Sequence, residues 1–162
     1  MPVTETTHDE DTKTLTMVAR FDAAPERVWD VYADPRQLEQ IWGPPTYPAT
    51  VVDHSLTPGG RVTYFMTSPE GEKFYGLWEV TAVDAPRSFA FRDYFADESF
   101  EIVDSLPGST NTYTFTADGG GTKAVYTAVY ETVEGLRTVL EMGMVEGATG
   151  AINQIDDLLA RD

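Results

Sequence analysis

The run Ser88–Phe95 places Phe89, Phe91 and Asp93 on one face by its two-residue alternation. A carboxyl group carried in among aromatic rings loses its water and holds its proton to higher pH. It can then serve as a general acid or base near neutrality. The same residue at a strand end in water is an ordinary solvated acid, and the pattern leaves both readings open, so Asp93 stands as the one candidate catalytic residue. Tyr64 and Tyr126 fall on inward positions of other strands, where buried hydroxyls need partners and can orient a ligand. Glu79 alternates with Trp78 and points outward. The two histidines, His8 and His54, have no cysteine or second histidine at ligand spacing, so no metal is expected. Gly119-Gly120-Gly121 is a turn without the lysine and serine of a phosphate loop, and no Gly-x-Ser-x-Gly occurs. No cofactor is expected.

The composition narrows the setting for such chemistry. The chain has 162 residues, 41% of them apolar, which suits one globular domain. Cysteine is absent, which removes disulfides, thiolate ligands and thiol nucleophiles together. The 27 acidic residues against 11 basic ones give a net charge of −16. A field of that sign repels phosphate backbones and anionic lipid, so nucleic acid is not an expected partner. It is compatible with simple solubility or with a basic protein partner. A homodimer is open as well. No apolar run reaches the length of a membrane span, and the polar, acidic start lacks the features of a secretory signal, so a cytoplasmic location is expected.

The elements that must position these residues follow in order. Residues 1–12 read as a flexible acidic tail and residues 13–162 as a single domain. Lys13–Phe21 alternates as a strand. Asp22-Ala-Ala-Pro begins a helix with Asp22 or a neighbour as cap, and Asp34-Pro35 starts a second, short helix that Gly43-Pro44-Pro45 ends. Strand patterns then recur over 50–56, 61–68, 73–83, 88–95, 112–117 and 123–132, with turn residues between them. Such a succession predicts an antiparallel sheet, and the whole an α+β fold.

The last stretch, Glu134 to Ala160, carries Leu136, Leu140, Met144, Gly147, Ala151, Ile155 and Leu158 on one helical stripe. It is expected as one helix roughly 40 Å long. A sheet of this size curls because strands twist, and it can wrap around that helix. Tyr64, Met66, Phe74, Trp78, Phe91, Phe115 and Tyr126 are expected to point inward, opposite Leu140, Met144, Gly147 and Ala148. Large side chains facing small ones either interdigitate or leave a cavity. Gly143-x-x-x-Gly147 is expected to permit a close approach of helix to sheet.

Several blocks in sequence order carry a resemblance. They are Phe21-Asp-Ala-Ala-Pro-Glu-Arg-Val-Trp-Asp-Val-Tyr-Ala-Asp-Pro, Trp42-Gly-Pro, Pro58-Gly-Gly-Arg, Gly76-Leu-Trp-Glu-Val with Pro86, Gly120-Gly-Thr, and Met142 with Glu146-Gly147. Together they resemble the START-like (SRPBCC, birch-pollen-allergen-type) helix-grip superfamily, in its branch of activator-of-heat-shock-protein-ATPase homologues. The resemblance covers roughly residues 14–160. It implies a helix-grip fold, with a curved sheet of about six to seven strands around a long C-terminal helix. It also implies a hydrophobic cavity under that helix, gated by the loops near Trp42 and by residues 95–110, with Trp42 a stacking wall or a structural plug. Superfamily members bind lipids, sterols, polyketides and other apolar ligands, and some catalyse cyclisation or dehydration. The expected partner is therefore a hydrophobic small molecule, and the alternative is a cyclase or dehydratase using Asp93. The heat-shock activator itself has two domains, so a co-chaperone role draws little support from this single one. Asp93 departs from the family, whose members often place an aromatic there.

Overall fold

The structure, a computed structural model, describes residues 2–162. Eight strands form one sheet: β1 (Val3–Asp9), β2 (Thr14–Phe21), β3 (Ala49–His54), β4 (Arg61–Thr67), β5 (Lys73–Asp84), β6 (Ser88–Ala96), β7 (Ser109–Asp118) and β8 (Gly121–Tyr130). Their spatial order is β1-β2-β8-β7-β6-β5-β4-β3, and every neighbouring pair is antiparallel. Short connections join β3 to β6 in sequence and β7 to β8, as the turn residues predict, while the longer stretch 97–108 links β6 to β7. Between β2 and β3 run α1 (Pro25–Ala33) and α2 (Pro35–Ile41), and α3 (Val133–Glu141) and α4 (Met144–Leu159) close the chain. The α+β helix-grip architecture is thus the observed one, with one strand more than the upper expected count.

That extra strand corrects the expectation of a loose tail. Met1 lies outside the described residues, but Val3–Asp9 pairs along β2. Its side chains are mostly exposed, so composition offered nothing to bury. The strand is held instead by backbone hydrogen bonding to the edge of β2, a bond from Arg20 N–H to the Pro2 carbonyl, and one from Val3 N–H to Asn153 Oδ1 on α4 (3.2 Å).

The terminal helix is also corrected. It is two helices, because Gly143 sits at φ 85, in the left-handed region, between the last turn of α3 and the first of α4. Glycine meets no steric penalty there and is the usual residue just past a helix end. The two helices therefore do not share one phase. Leu136 and Val139 are buried in α3, and Ala151, Ile152, Ile155 and Leu158 in α4. At α1 the N-cap is not Asp22 but its neighbour Ala24, which makes no side-chain bond. Pro25 fixes the first turn instead. Asp34 caps α2, accepting from Arg36 N–H at 2.9 Å.

The concave face of the sheet is divided between two fillings. At one end α1 inserts Trp29 and Tyr32 against Phe89 and Phe115, with ring centroids 5.5–6.3 Å apart. Trp78 and Phe91 continue this block, stacked 4.1 Å apart and both without exposure. At the other end α4 crosses above the sheet, leaning on α2 at one flank and on β1 at the other. Ile155 and Leu158 pack into the core, but the space beneath its first turns is not filled.

Candidate functional site

A cavity of about 330 Å³ lies between α4 and the concave face, floored by β2, β4, β6, β7 and β8. Its roof is the first part of α4. A Cβ at Gly147 would meet no neighbouring heavy atom within 4 Å. The close approach expected of Gly143-x-x-x-Gly147 therefore does not occur, and Gly147 faces open space. Gly150, by contrast, packs towards Pro44 and Pro45, where a Cβ would stand 3.6 and 3.8 Å from the two rings. Gln154 fastens the same region, donating from Nε2 to the Gly43 carbonyl at 2.6 Å.

Of the residues expected to line the cavity, the structure brings Trp42, Tyr64, Met66, Phe74, Tyr126, Met144, Gly147 and Ala148 onto its wall, together with Asp93. Phe74 stands at the mouth, 48% exposed, with its ring 6.0 Å from that of Tyr47. Four residues are placed elsewhere. Trp78, Phe91 and Phe115 point inward as expected, but they lie at the end of the concave face that α1 fills, so they are core. Leu140 packs against the separate cluster of Leu15, Tyr130, Leu136 and Val139. The break at Gly143 shifts the phase, and Val139 reaches the cavity in its place.

Sequence reasoning missed most of the polar wall. Asn111, Tyr113 and Tyr130 border the cavity beside Asp93, and so does Ser109, which accepts from Asn111 Nδ2 at 2.9 Å. The signal was present in part, since Asn111 alternates with Tyr113 and Phe115 along β7. The strand begins three residues earlier than the hydrophobic pattern suggested. All eight tyrosines of the chain border this one cavity.

Asp93 lies on β6 directly opposite Trp78 of β5 and Ser109 of β7. Tyr64 donates its hydroxyl to Asp93 Oδ1 at 3.1 Å. Gly76 makes this contact possible. It pairs with Tyr64 across β4 and β5, and a Cβ there would collide with the Tyr64 ring and hydroxyl. Without that Cβ the ring lies across β5 and carries its oxygen to the next strand. Trp42, the C-cap of α2, stands edge-on to Trp78 at 4.8 Å and to Tyr64 at 5.7 Å, so it is both wall and wedge. Its Nε1–H is buried and meets no partner in hydrogen-bonding geometry, although it lies near enough to the Tyr64 oxygen to ease that group's ionisation.

The electrostatics follow from this enclosure. Asp93 is accessible only in part, and burial pushes its carboxyl from 3.8 up to about 7, against the smaller downward pull of the Tyr64 hydrogen bond. Burial and the neighbouring Asp93 charge together hold the Tyr64 and Tyr113 phenols well above their ordinary range and push Tyr130 up to about 12. Tyr126 is raised by burial and receives the Tyr32 hydroxyl at 2.9 Å. Asp93 thus borders the cavity rather than standing free in water at a strand end. His54 is occupied elsewhere, with Nε2 2.9 Å from the Tyr32 carbonyl.

The sequence profile of the family described as Activator of Hsp90 ATPase homolog 1-like protein matches residues 22–160. The chain belongs to this family. Among solved structures, protein Ms6760 of Mycobacterium smegmatis is 62% identical over 98% of this chain and 97% of its own, with a TM-score of 0.91. A protein of Arthrobacter aurescens, solved in solution, is 40% identical over 99% and 93%, with a TM-score of 0.94. DynU16, from the dynemicin biosynthetic locus, is 16% identical over 88% of this chain and 47% of its own; its TM-score of 0.63 shows shared fold alone. No curated protein matches the chain. The family member described here thus has a fold of ligand-binding type, and among its described residues no helix is long and apolar enough to cross a membrane.

Proposed function

We propose that this family member binds an apolar or aromatic small molecule between the curved sheet and α4. The observation that carries the reading is the cavity itself. Its volume, about 330 Å³, is at the lower end of what small-molecule sites use, roughly 300–1,000 Å³. Its walls are mostly apolar and aromatic, with the polar groups gathered around Asp93, an arrangement that buries a ligand's body and orients one end. Phe74 and Tyr47 at the mouth give an apolar guest a surface to cross on entry. A thermal-shift and native mass-spectrometry panel of lipids and polyketide-like aromatics tests the reading. At least one class should raise the melting temperature and appear as a one-to-one complex. Silence across the panel overturns it.

A second reading is favoured by the Tyr64–Asp93 pair. A carboxyl that titrates near neutrality beside a phenol donor can move a proton to or from a bound ketone or alcohol, the step that cyclisation and dehydration require. Product formation from a polyketide-like substrate would support it. Turnover that survives Asp93→Asn at an unchanged rate removes the acid from the proposal.

A further inference from the structure

Charge is distributed unevenly around the cavity. Among the described residues that border it there is no lysine, arginine or histidine, and Asp93 is the sole carboxylate. A ligand with a carboxylate or phosphate head would bring a like charge beside Asp93 with no cation to answer it, after losing its own water. The aromatic walls act in the same sense. Tyr64, Tyr113, Tyr130 and Trp42 stand around the Asp93 end of the space, and the faces of such rings attract a cation. At the scale of the whole chain, the net charge of −16 concentrates cations near the surface and depletes anions.

Resting on the reading of the cavity as a ligand site, we propose that its ligand is a hydrophobic amine, bound as the ammonium ion with its charge against Asp93 and the surrounding tyrosine rings. The apolar body lies under Gly147 and Ala148. The ammonium donates to the free carboxylate oxygen, since Tyr64 already holds Oδ1. The unpaired Trp42 Nε1–H is left for an acceptor atom on the ligand, such as an ether or hydroxyl oxygen.

The groups that face Asp93 are Tyr64 on β4, Tyr113 on β7 and Tyr130 on β8. All three phenols keep their protons at neutral pH because burial raises them, so Asp93 alone changes charge near neutrality. An ammonium ligand gains from the ionised carboxylate and has to displace its proton at lower pH. A neutral ligand has no such dependence.

Titration calorimetry of the full chain with naphthylmethylamine, naphthylmethanol and naphthoate, which share a ring system and differ in the head, decides the matter. At about pH 8 the amine should bind at least about tenfold more tightly than the alcohol, and naphthoate should give no measurable heat of binding. Between about pH 8 and about pH 6 the amine should weaken about tenfold, the change in the ionised fraction of a group that titrates near 7, while the alcohol holds steady. Asp93→Asn should bring amine and alcohol to equal affinity, with the melting temperature recorded as a check on folding; the comparison in the unaltered chain stands without it. Equal binding of alcohol and amine, or tighter binding of naphthoate, overturns the amine assignment and leaves the ligand cavity in place. Failure of all three compounds overturns the amine assignment, and with silence across the wider panel it overturns the cavity reading as well.

Discussion

Replacing Asp93 with asparagine separates stability from ligand binding and can be worked through in sign and size. The carboxyl holds its proton up to about 7 in the folded chain, whereas the unfolded chain releases it near 3.8. Between those values the folded state binds more protons than the unfolded one, so stability falls as pH rises. The loss is absent below about pH 4 and complete above about pH 8. Its ceiling is roughly 4 kcal/mol, from about 1.4 kcal/mol per pH unit of displacement. Asp93 borders a space that water can enter, so about 2–3 kcal/mol is the expected measured effect. Asparagine keeps the acceptor that Tyr64 uses and never ionises. Thermal unfolding of both proteins across the pH range, with the difference taken to cancel all other groups, should show near equality under acid conditions. Above neutrality the variant should be the more stable, by roughly 4–10 °C for a chain of this size. A flat difference, or a variant that loses stability as pH rises, would refute the placement of Asp93 in a desolvated site.

Gly147→Leu should fill the roof of the cavity, raising stability by about 1–2 kcal/mol through helix propensity and apolar burial while weakening any cavity ligand at least about tenfold. Thermal unfolding and the ligand panel read the two effects. Gly76→Ala should displace the Tyr64 ring and break its bond to Asp93, costing about 1–3 kcal/mol and, because that bond pulls the carboxyl down, widening the difference between folded and unfolded titration of Asp93, as nuclear magnetic resonance of the carboxyl would report. Gly143→Ala should cost about 1–2 kcal/mol, because alanine is strained at φ 85, with chemical denaturation as the assay. Removal of residues 1–9 should lower the melting temperature measurably, where deletion of a true tail would leave it unchanged.

What could be read in the sequence was whatever depends on local periodicity and turn chemistry. The strands from Ala49 to Tyr130 emerged within a few residues because alternation and Gly/Pro punctuation agree along that stretch. β1 did not emerge, because its side chains bury almost nothing and its place is set by the free edge of β2. Its partners follow across a hairpin, from Asp9 opposite Thr14 to Val3 opposite Ala19, but its run of polar side chains carries no apolar alternation to mark it as a strand. The break at Gly143 carried its signal, a glycine after a turn that ends in Glu141-Met142. It was outweighed by an apolar stripe that happened to continue through it.

The site shows the same division at a finer scale. Alternation assigned Trp78, Phe91 and Phe115 to the same inward face as Tyr64 and Met66, and that assignment is right for all five. It could not distinguish the end of the face that α1 fills from the end that α4 spans, because that depends on where Trp29 and Tyr32 come to rest. The helix-supporting contacts then decide whether space remains. α4 is carried at its flanks by α2 and β1, and its glycine at position 147 meets nothing below. An apolar core of this size would ordinarily close over such a gap, since voids cost stability. Here closure is resisted on two sides. β1 holds α4 through the Asn153 bond to Val3, and Gly43 holds it through Gln154. The polar cluster of Asp93, Tyr64 and Asn111 lies on the floor, where burying it under apolar side chains would leave its remaining hydrogen-bonding groups unmet. The opening under the helix thus follows from its supports and its floor together.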